Sequence, residues 1–291
     1  MGLLWDSLIV QPFTNMLLLI YAFVGNFGLS IILFTIIIRL VTHPFMAAQI
    51  KSSTGMQKLT QSDEWKAMQE KYKKDQEKLS QETMRLYKEN GINPFASCLP
   101  SLIQLPIMIG FYQSIVRAIG ATPMQLLSVV RSIYPGMENI THAASLSALI
   151  PIHSQFLWMD LGQPERVFLG AFLAALGIPA VGIPVLAIIV GLTTYLQTKL
   201  TMPASSGPND QSAQMTQTMS IMMPLMLFMF TLNYASGLAV YLITSNLIGV
   251  LQYAALGKVN WSSLIGRKPE VVEVVVKPVK QLPKKKSAKR S

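Results

Sequence analysis

Charged residues are scarce in this 291-residue sequence, at 13% of the chain, whereas 51% of the residues are hydrophobic. A soluble globular domain carries about 25% charged residues. This deficit excludes a water-soluble globular protein of this size, because the chain has too few charged residues to cover such a surface. The apolar residues also form stretches of membrane length that alternate with polar blocks. The sequence therefore predicts an all-α integral membrane protein.

Cysteine is nearly absent as well. Its one copy, Cys98, excludes a disulfide within the chain and begins an apolar run, where a small buried side chain is expected. Cofactor motifs are missing too, since no zinc-ligand spacing, phosphate-binding loop or dinucleotide fingerprint occurs. We therefore expect no metal, no cofactor and no small-molecule substrate. No Lys or Arg precedes the first apolar stretch, which argues against a cleavable signal peptide.

Apolar stretches predict five membrane-spanning helices. The predicted spans are 26–46, 93–117, 178–200, 215–232 and 237–256. Between and after them lie a polar block at 47–92, a loop at 118–177, a linker at 201–214 and a tail at 257–291. The first segment, 1–25, is apolar but short, and a Gly-Asn-Phe-Gly sequence interrupts the chain at its end. We interpret this segment as an interfacial helix on the outer surface, with a longer, kinked first span as the alternative.

The polar block has the pattern of a helical hairpin in water. Its apolar residues recur at helical spacing: Trp65, Met68, Tyr72, Leu79 and Leu86. We expect the turn of this hairpin near residues 61–63. Gly91 is typical of a helix C-cap and Pro94 of a helix start, so the hairpin is expected to end between them.

Basic residues indicate the orientation in the membrane. Twenty of the 24 Lys and Arg residues lie in the polar block, at Lys199 or in the tail. The segments on the other side hold only Arg117, Arg131 and Arg166. Because basic loops stay in the cytoplasm, the sequence predicts a multi-pass protein of a bacterial cytoplasmic membrane, with its N-terminus outside and its C-terminus in the cytoplasm.

Polar residues within the predicted spans concentrate in the cytoplasmic half. Thr35, Arg39 and Thr42 are spaced i, i+4 and i+7, so they share one helix face, and the second span repeats this spacing. The remaining members of the predicted layer are Ser97, Ser101, Gln104, Thr194, Gln197, Thr216, Ser220, Tyr241, Ser245 and Gln252.

Arg39 is the exceptional member of this layer. An arginine near mid-bilayer costs at least ~2.5–3.5 kcal/mol unless it meets water or a partner, and no predicted span contains an Asp or Glu. This predicts a hydrated cavity with Arg39 at its floor, open to the cytoplasm and to lipid. Alternatively, Arg39 snorkels to the inner interface and the Ser and Thr residues only pack helices. Spacing alone leaves both interpretations open.

Several segments resemble the YidC/Oxa/Alb family of membrane protein insertases. They are Gly28–Ile32 leading to Arg39, Leu86–Gly91, Asn93–Ile107, Phe156–Leu161, and Ser236–Tyr241 followed by Ser245, Asn246 and Gln252. The resemblance covers the chain from about Pro12 to Leu256, with the motifs in the family's order. Ala235, Leu242 and Ser97 depart from the common pattern, and the loop before the third span is longer and more hydrophobic than expected.

This resemblance implies a five-span insertase core without a large periplasmic domain. Such a protein would insert and chaperone small membrane proteins of one or two spans, alone or beside the Sec translocon. Arg39 would be the arginine of a substrate groove, and the cytoplasmic hairpin would make first contact with the incoming chain.

The basic tail is expected to contact the ribosome. Its candidate residues are Lys284, Lys285, Lys286, Lys289 and Arg290. Binding to ribosomal RNA phosphates would depend strongly on salt. The alternative is a topology signal that also touches anionic lipid.

Two other classes of function are less consistent with the sequence. A small-solute transporter or channel would predict paired intramembrane charges or inverted repeats, and the sequence shows neither. An intramembrane enzyme needs converging catalytic groups, but His43 lies at the predicted inner interface while His142 and His153 lie in the outer loop. We therefore expect a protein that is not an enzyme.

Overall fold

The computed structural model describes residues 3–73, 75–91, 99–120, 122–135, 151–165, 167–168, 182–201, 211–257 and 259. Most of them are helical, as expected from the sequence. The helices are α1 (Leu3–Trp5), a π-helical segment (Asp6–Val10), α2 (Gln11–Val24), α3 (Phe27–Val41), α4 (His43–Gln61), α5 (Asp63–Lys71), α6 (Gln76–Glu89), α7 (Leu99–Ile119), α8 (Pro123–Ser132), α9 (Val185–Thr201), α10 (Gln211–Asn233) and α11 (Ser236–Ala255). Two short antiparallel ribbons pair β1 (Gln155–Phe156) with β2 (Met159–Asp160), and β3 (Val167–Phe168) with β4 (Gly182–Ile183).

Two helical stretches among the described residues are long and apolar enough to cross a membrane, namely Asp6–Val24 and Ser236–Ala255. Three further apolar helices are shorter: Phe27–Val41, Val185–Thr201 and Ser220–Asn233. The predicted start of the second span, 93–98, lies outside the described residues. The five-span arrangement therefore stays a prediction.

The Gly-Asn-Phe-Gly interruption is a helix–helix junction. Gly25 ends α2 in the left-handed conformation, with φ at 70°, and its N–H donates to the Tyr21 carbonyl. A glycine adopts this conformation without a Cβ clash. The Asn26 side chain then accepts from the Leu29 N–H and caps the start of α3.

Only Thr42 separates α3 from α4. Its N–H donates to the Ile38 carbonyl at 2.9 Å, and its own carbonyl accepts from the Met46 N–H at 3.0 Å. Two helical hydrogen bonds therefore link the helices through Thr42, although Pro44 has no N–H to complete the pattern. The predicted hairpin is joined to the first apolar helix without an intervening loop.

The predicted hairpin contains three helices instead of two. Ser62, in the region of the predicted turn, interrupts the helix and caps α5 by accepting from the Trp65 N–H. The chain reverses later, between Lys71 and Gln76, because the Trp65 ring lies 5.6 Å from the Tyr87 ring. The side chains buried in this small core are Leu59, Trp65, Met68, Leu86 and Tyr87.

An apolar core connects α2, α3, α7 and α11. The Phe34 and Phe111 rings stack with their centroids 4.7 Å apart, and Phe111 lies 4.6 Å from the Tyr241 ring. Phe34, Phe111 and Ile31 are fully buried. Helix α11 packs against α3 on one side and against α9 on the other, so it occupies the centre of the bundle.

Segment 151–165 closes one end of the bundle, which we call the capped end. The Gln163 carbonyl accepts from the Ser236 N–H at 2.8 Å, and the Leu161 carbonyl accepts from the Gly237 N–H at 3.0 Å. The Glu165 carboxylate accepts from the Leu186 N–H at 3.1 Å. These bonds satisfy N–H groups that the first turns of α11 and α9 would otherwise leave unpaired.

The capped end also contacts the other two long helices. The Phe156 ring lies against Gly28 near the start of α3, and Ile119 at the end of α7 approaches Gly162. The starts of α3, α9 and α11 and the end of α7 therefore meet at the capped end.

The N-terminal stretch Asp6–Val24 contacts the capped end of the bundle through both of its own ends. Asp6 forms an ion pair with Arg117 near the end of α7. At the other end of the stretch, the Tyr21 hydroxyl accepts from the His153 N–H at 3.4 Å.

We predict that Gly28→Ala destabilises the protein. A Cβ at this position would overlap the Phe156 ring, which is held by the β1–β2 ribbon. Overpacking of this kind costs about 1–3 kcal/mol. Thermal unfolding of the purified protein in detergent should show a lower Tm.

The matched control is Gly191→Ala, whose Cβ would lie 3.6 Å from Phe228, an ordinary contact distance. This variant should keep the wild-type Tm. Phe156→Ala added to Gly28→Ala should recover part of the loss. A Gly28→Ala protein with unchanged Tm would contradict the packing described for the capped end.

Candidate functional site

Arg39 reaches from the last turn of α3 to α11. Its Nε donates to the Ser245 Oγ at 3.0 Å, and its terminal Nη2 donates to the same oxygen. Ser245 is 2% exposed, whereas Arg39 is only half-buried. No carboxylate of the described residues lies within ion-pair distance of the guanidinium. Arg39 therefore keeps its charge and part of its surface available.

Gln252 fixes the backbone at Arg39. Its Nε2 donates to the Arg39 carbonyl at 2.9 Å, and Gln252 lies about two turns after Ser245 on α11. The Gln252 Oε1 is buried and has no hydrogen-bond partner among the described residues. Since a buried polar atom is normally paired, Oε1 is an acceptor that a bound water or chain segment can use.

The two threonines that flank Arg39 on its helix face form hydrogen bonds within α3 itself. The Thr35 hydroxyl donates to the Ile31 carbonyl at 2.7 Å and is buried. The Thr42 hydroxyl donates to the Ile38 carbonyl at 2.8 Å. Both side chains lie where the spacing predicts, but of the three only Arg39 makes a side-chain hydrogen bond to another helix in the described residues.

Helix α7 contributes Gln104 to the same region. Its Nε2 donates to the Tyr241 hydroxyl at 2.7 Å. Tyr241 is 2% exposed and packs on Phe111, whereas Gln104 is half-buried. The aromatic stack therefore separates the polar layer from the capped end.

Helix α9 adds a second set of polar contacts to α11. The Asn246 Nδ2 donates to the Thr194 Oγ1 at 2.8 Å and to the Thr193 Oγ1 at 3.2 Å. A Cβ on Gly249 would lie 2.5 Å from the Gln197 Nε2 and 3.9 Å from the Arg39 Nη1. The missing side chain of Gly249 thus makes room for Gln197 beside Arg39.

The structure brings together six of the residues predicted from sequence: Arg39, Gln104, Gln197, Tyr241, Ser245 and Gln252. Thr194 is linked to this group by the hydrogen bond that it accepts from Asn246 on α11. Ser220 is half-buried on α10. Ser97 and the tail residues 284–290 lie outside the described residues, as do the side chains of Ser101 and Thr216.

Sequence reasoning missed Thr193, Asn246 and Gly249 as site residues. The signal for one of them was present, because Gly249 follows Ser245 by four residues and precedes Gln252 by three, which places it on their helix face. Asn246 lies one position away and turns toward α9 instead. A single sequence does not reveal which helix faces Asn246.

Among the residues described, the polar layer presents hydrogen-bond donors from three helices. Arg39, Gln104 and Gln197 are half-buried donors, and Tyr241 and Ser245 hold two of them in place. A positive charge with neutral amide donors is suited to carboxylate and carbonyl groups of another chain.

Comparisons with known proteins show the family of this chain. The family described as 60Kd inner membrane protein matches residues 19–261. The membrane protein insertase MisCA of Bacillus subtilis (strain 168) is 34% identical over 253 residues, which are 85% of this chain and 77% of that protein. A membrane protein insertase YidC 1 of Halalkalibacterium halodurans is 35% identical over 256 residues, covering 86% of this chain and 77% of that protein.

A solved structure of an active YidC insertase is also similar to this chain. It is 27% identical with a TM-score of 0.48, and the match covers 86% of this chain and 46% of the solved one, so this chain spans about half of that protein. The family match contains the sequence motifs from Gly28 to Gln252, which confirms the family expected from them. The chain belongs to the YidC/Oxa/Alb family of membrane protein insertases.

Proposed function

We propose that this protein inserts and chaperones small membrane proteins by passing their short polar tails through a hydrophilic groove around Arg39. The groove opens to the cytoplasm and to lipid. The observation that carries this proposal is the Arg39 guanidinium, which is bound to Ser245 and has no carboxylate partner among the described residues. The naming of its relatives as membrane protein insertases supports the activity.

Arg39 lies deep enough to meet a tail inside the membrane. It is twelve residues beyond Phe27 on α3, which is roughly 18 Å at the helical rise. The hydrocarbon core is about 30 Å thick. If the capped end faces outward, Arg39 lies just past the midplane, where a tail carboxylate finds a cation after crossing less than half of the hydrocarbon.

The capped end supports a groove that is closed towards the outside. Segment 151–165 covers four helix ends, and the stack of Phe34, Phe111 and Tyr241 lies between that end and the polar layer. A tail therefore rests in the layer while its apolar segment leaves sideways. Burial of that segment in lipid, at about 25 cal/mol per Å², drives the step.

The orientation and the spans belong to the same proposal. The starts of α3, α9 and α11 and the end of α7 lie at the capped end. In the proposed topology, spans one, three and five begin on the side of the membrane where span two ends. These four helices are therefore arranged as spans one, two, three and five would be. The distribution of Lys and Arg supports an orientation with the capped end outside and the hairpin inside. Contacts of both ends of Asp6–Val24 with the capped end favour the interfacial position of this segment over a span.

Partners follow from the charged segments. The cytoplasmic hairpin makes first contact with nascent small membrane proteins, and the basic tail holds the ribosome and touches anionic lipid. The protein acts alone or beside the Sec translocon.

We predict that Arg39→Ala slows the insertion of substrates with acidic tails. Loss of a hydrogen bond to a charged group costs about 1.5–3 kcal/mol, so the rate should fall about tenfold or more. Arg39→Lys should retain most of the rate because it keeps the charge. Insertion into proteoliposomes measures this, using one substrate with its tail acids intact and one with Asn and Gln in their place.

The matched control is Thr231→Val. Thr231 is buried on α10 and donates only to the Leu227 carbonyl of its own helix. The Thr231→Val protein should insert both substrates at the wild-type rate. Equal insertion of the acidic and neutral substrates by Arg39→Ala, at the wild-type rate, would show that the groove charge has no role.

We predict that a chain ending at Gly257 binds ribosomes more weakly than the full chain. The removed tail carries ten Lys and Arg against two Glu, and phosphate contacts release counterions on binding. Co-sedimentation with ribosomes should therefore fall on truncation, and full-length binding should weaken as salt increases. Equal co-sedimentation of the two chains would leave the tail as a lipid contact only.

A further inference from the structure

A cavity lies between the N-terminal helical stretch and α8, away from the Arg39 layer. Its volume is about 400 Å³, within the range of sites for small ligands and headgroups, roughly 300–1,000 Å³. Charged, polar and apolar side chains line it: Asp6, Gln11, Met124, Leu127, Ser128 and Arg131. Neither the sequence motifs nor the proposed groove uses this cavity.

Hydrogen bonds hold the two walls of the cavity together. The Gln11 Nε2 and the Asn15 Nδ2 both donate to the Ser132 carbonyl at 2.9 Å. The Tyr134 N–H donates to the Asn15 Oδ1 at 3.0 Å. Thr122 begins α8 with a capping box. The cavity is therefore preformed, and a ligand need not order its walls.

The cavity presents one charge of each sign. Arg131 is exposed and has no hydrogen-bond or ion-pair partner among the described residues. Asp6 pairs with Arg117 through Oδ1, which leaves its Oδ2 for another donor. A ligand with an anion and a hydrogen-bonding cation matches both charges.

Apolar side chains continue from the cavity along α8. Met124 and Leu127 line it and are 76% and 44% exposed, and Val130 is exposed next to them. These residues are spaced i, i+3 and i+6, so they form one face of α8. At the end of a membrane bundle, such a face meets acyl chains.

We propose that this cavity binds a phospholipid with an ethanolamine headgroup. The phosphate accepts from the Arg131 guanidinium, the primary ammonium donates to the Asp6 carboxylate, and the acyl chains follow Met124 and Leu127. A glycerol headgroup lacks the cation, and a choline headgroup has no N–H to donate. The outer-leaflet position of this lipid rests on the proposed orientation, whereas its binding does not.

Lipid binding to the purified full-length protein tests the site. Native mass spectrometry would titrate phosphatidylethanolamine, phosphatidylglycerol and phosphatidylcholine with identical acyl chains. The ethanolamine lipid should bind about tenfold more tightly than either, the difference expected of one charge-assisted hydrogen bond. Arg131→Gln should lower its affinity about tenfold. Arg85→Gln, which removes an exposed charge from the cytoplasmic hairpin, should not.

A second pair of variants separates ligand contact from helix anchoring. Asp6→Asn removes the carboxylate and should abolish the preference for the ethanolamine lipid. Arg117→Gln breaks the same ion pair but keeps the carboxylate, so it should retain the preference. Equal affinity of the three lipids for the wild-type protein, or loss of the preference in Arg117→Gln, would overturn the proposal.

Discussion

A guanidinium among apolar helices is the constraint on which the polar half of this bundle depends. An arginine at the centre of a membrane helix costs at least ~2.5–3.5 kcal/mol, and a hydrogen bond to a charged group returns about 1.5–3 kcal/mol. Ser245, which accepts from two nitrogens of Arg39, therefore offsets a cost of similar size. Because its acceptor is neutral, the positive charge is not cancelled. The same contact that makes Arg39 tolerable leaves it able to attract a carboxylate.

The two ends of the bundle are stabilised by different kinds of contact. At the capped end, backbone carbonyl groups of Leu161 and Gln163, in the turn after β2, pair with backbone N–H groups of α11. At the polar layer, long side chains such as Gln104 and Gln252 make single hydrogen bonds between helices. Breaking one such bond exposes a donor that water or another chain can satisfy. This difference between the two ends supports the proposed groove, which opens at the second end.

Much of the arrangement around Arg39 could be predicted from sequence, because helical spacing alone places side chains on faces. The family, the mostly helical fold and the junction after Gly25 all followed from local patterns, and the comparisons confirm the family. Contacts between helices could not be obtained in this way. The pairing of Asn246 with Thr193 and Thr194 depends on the register of α11 against α9, and no spacing within either helix encodes it. The hairpin turn was misplaced for a related reason: Ser62 is a good cap, but the contact of Trp65 with Tyr87 decides where the chain reverses.

The junction at Thr42 has a mechanical consequence. Thr42 hydrogen-bonds to Ile38 in α3 and to Met46 in α4, but Pro44 has no N–H to donate, so a joint with fewer helical hydrogen bonds lies three residues from Arg39. Motion of α4 is therefore taken up at this joint, close to the guanidinium, while the hydrogen bonds with Ser245 and Gln252 hold Arg39 against α11.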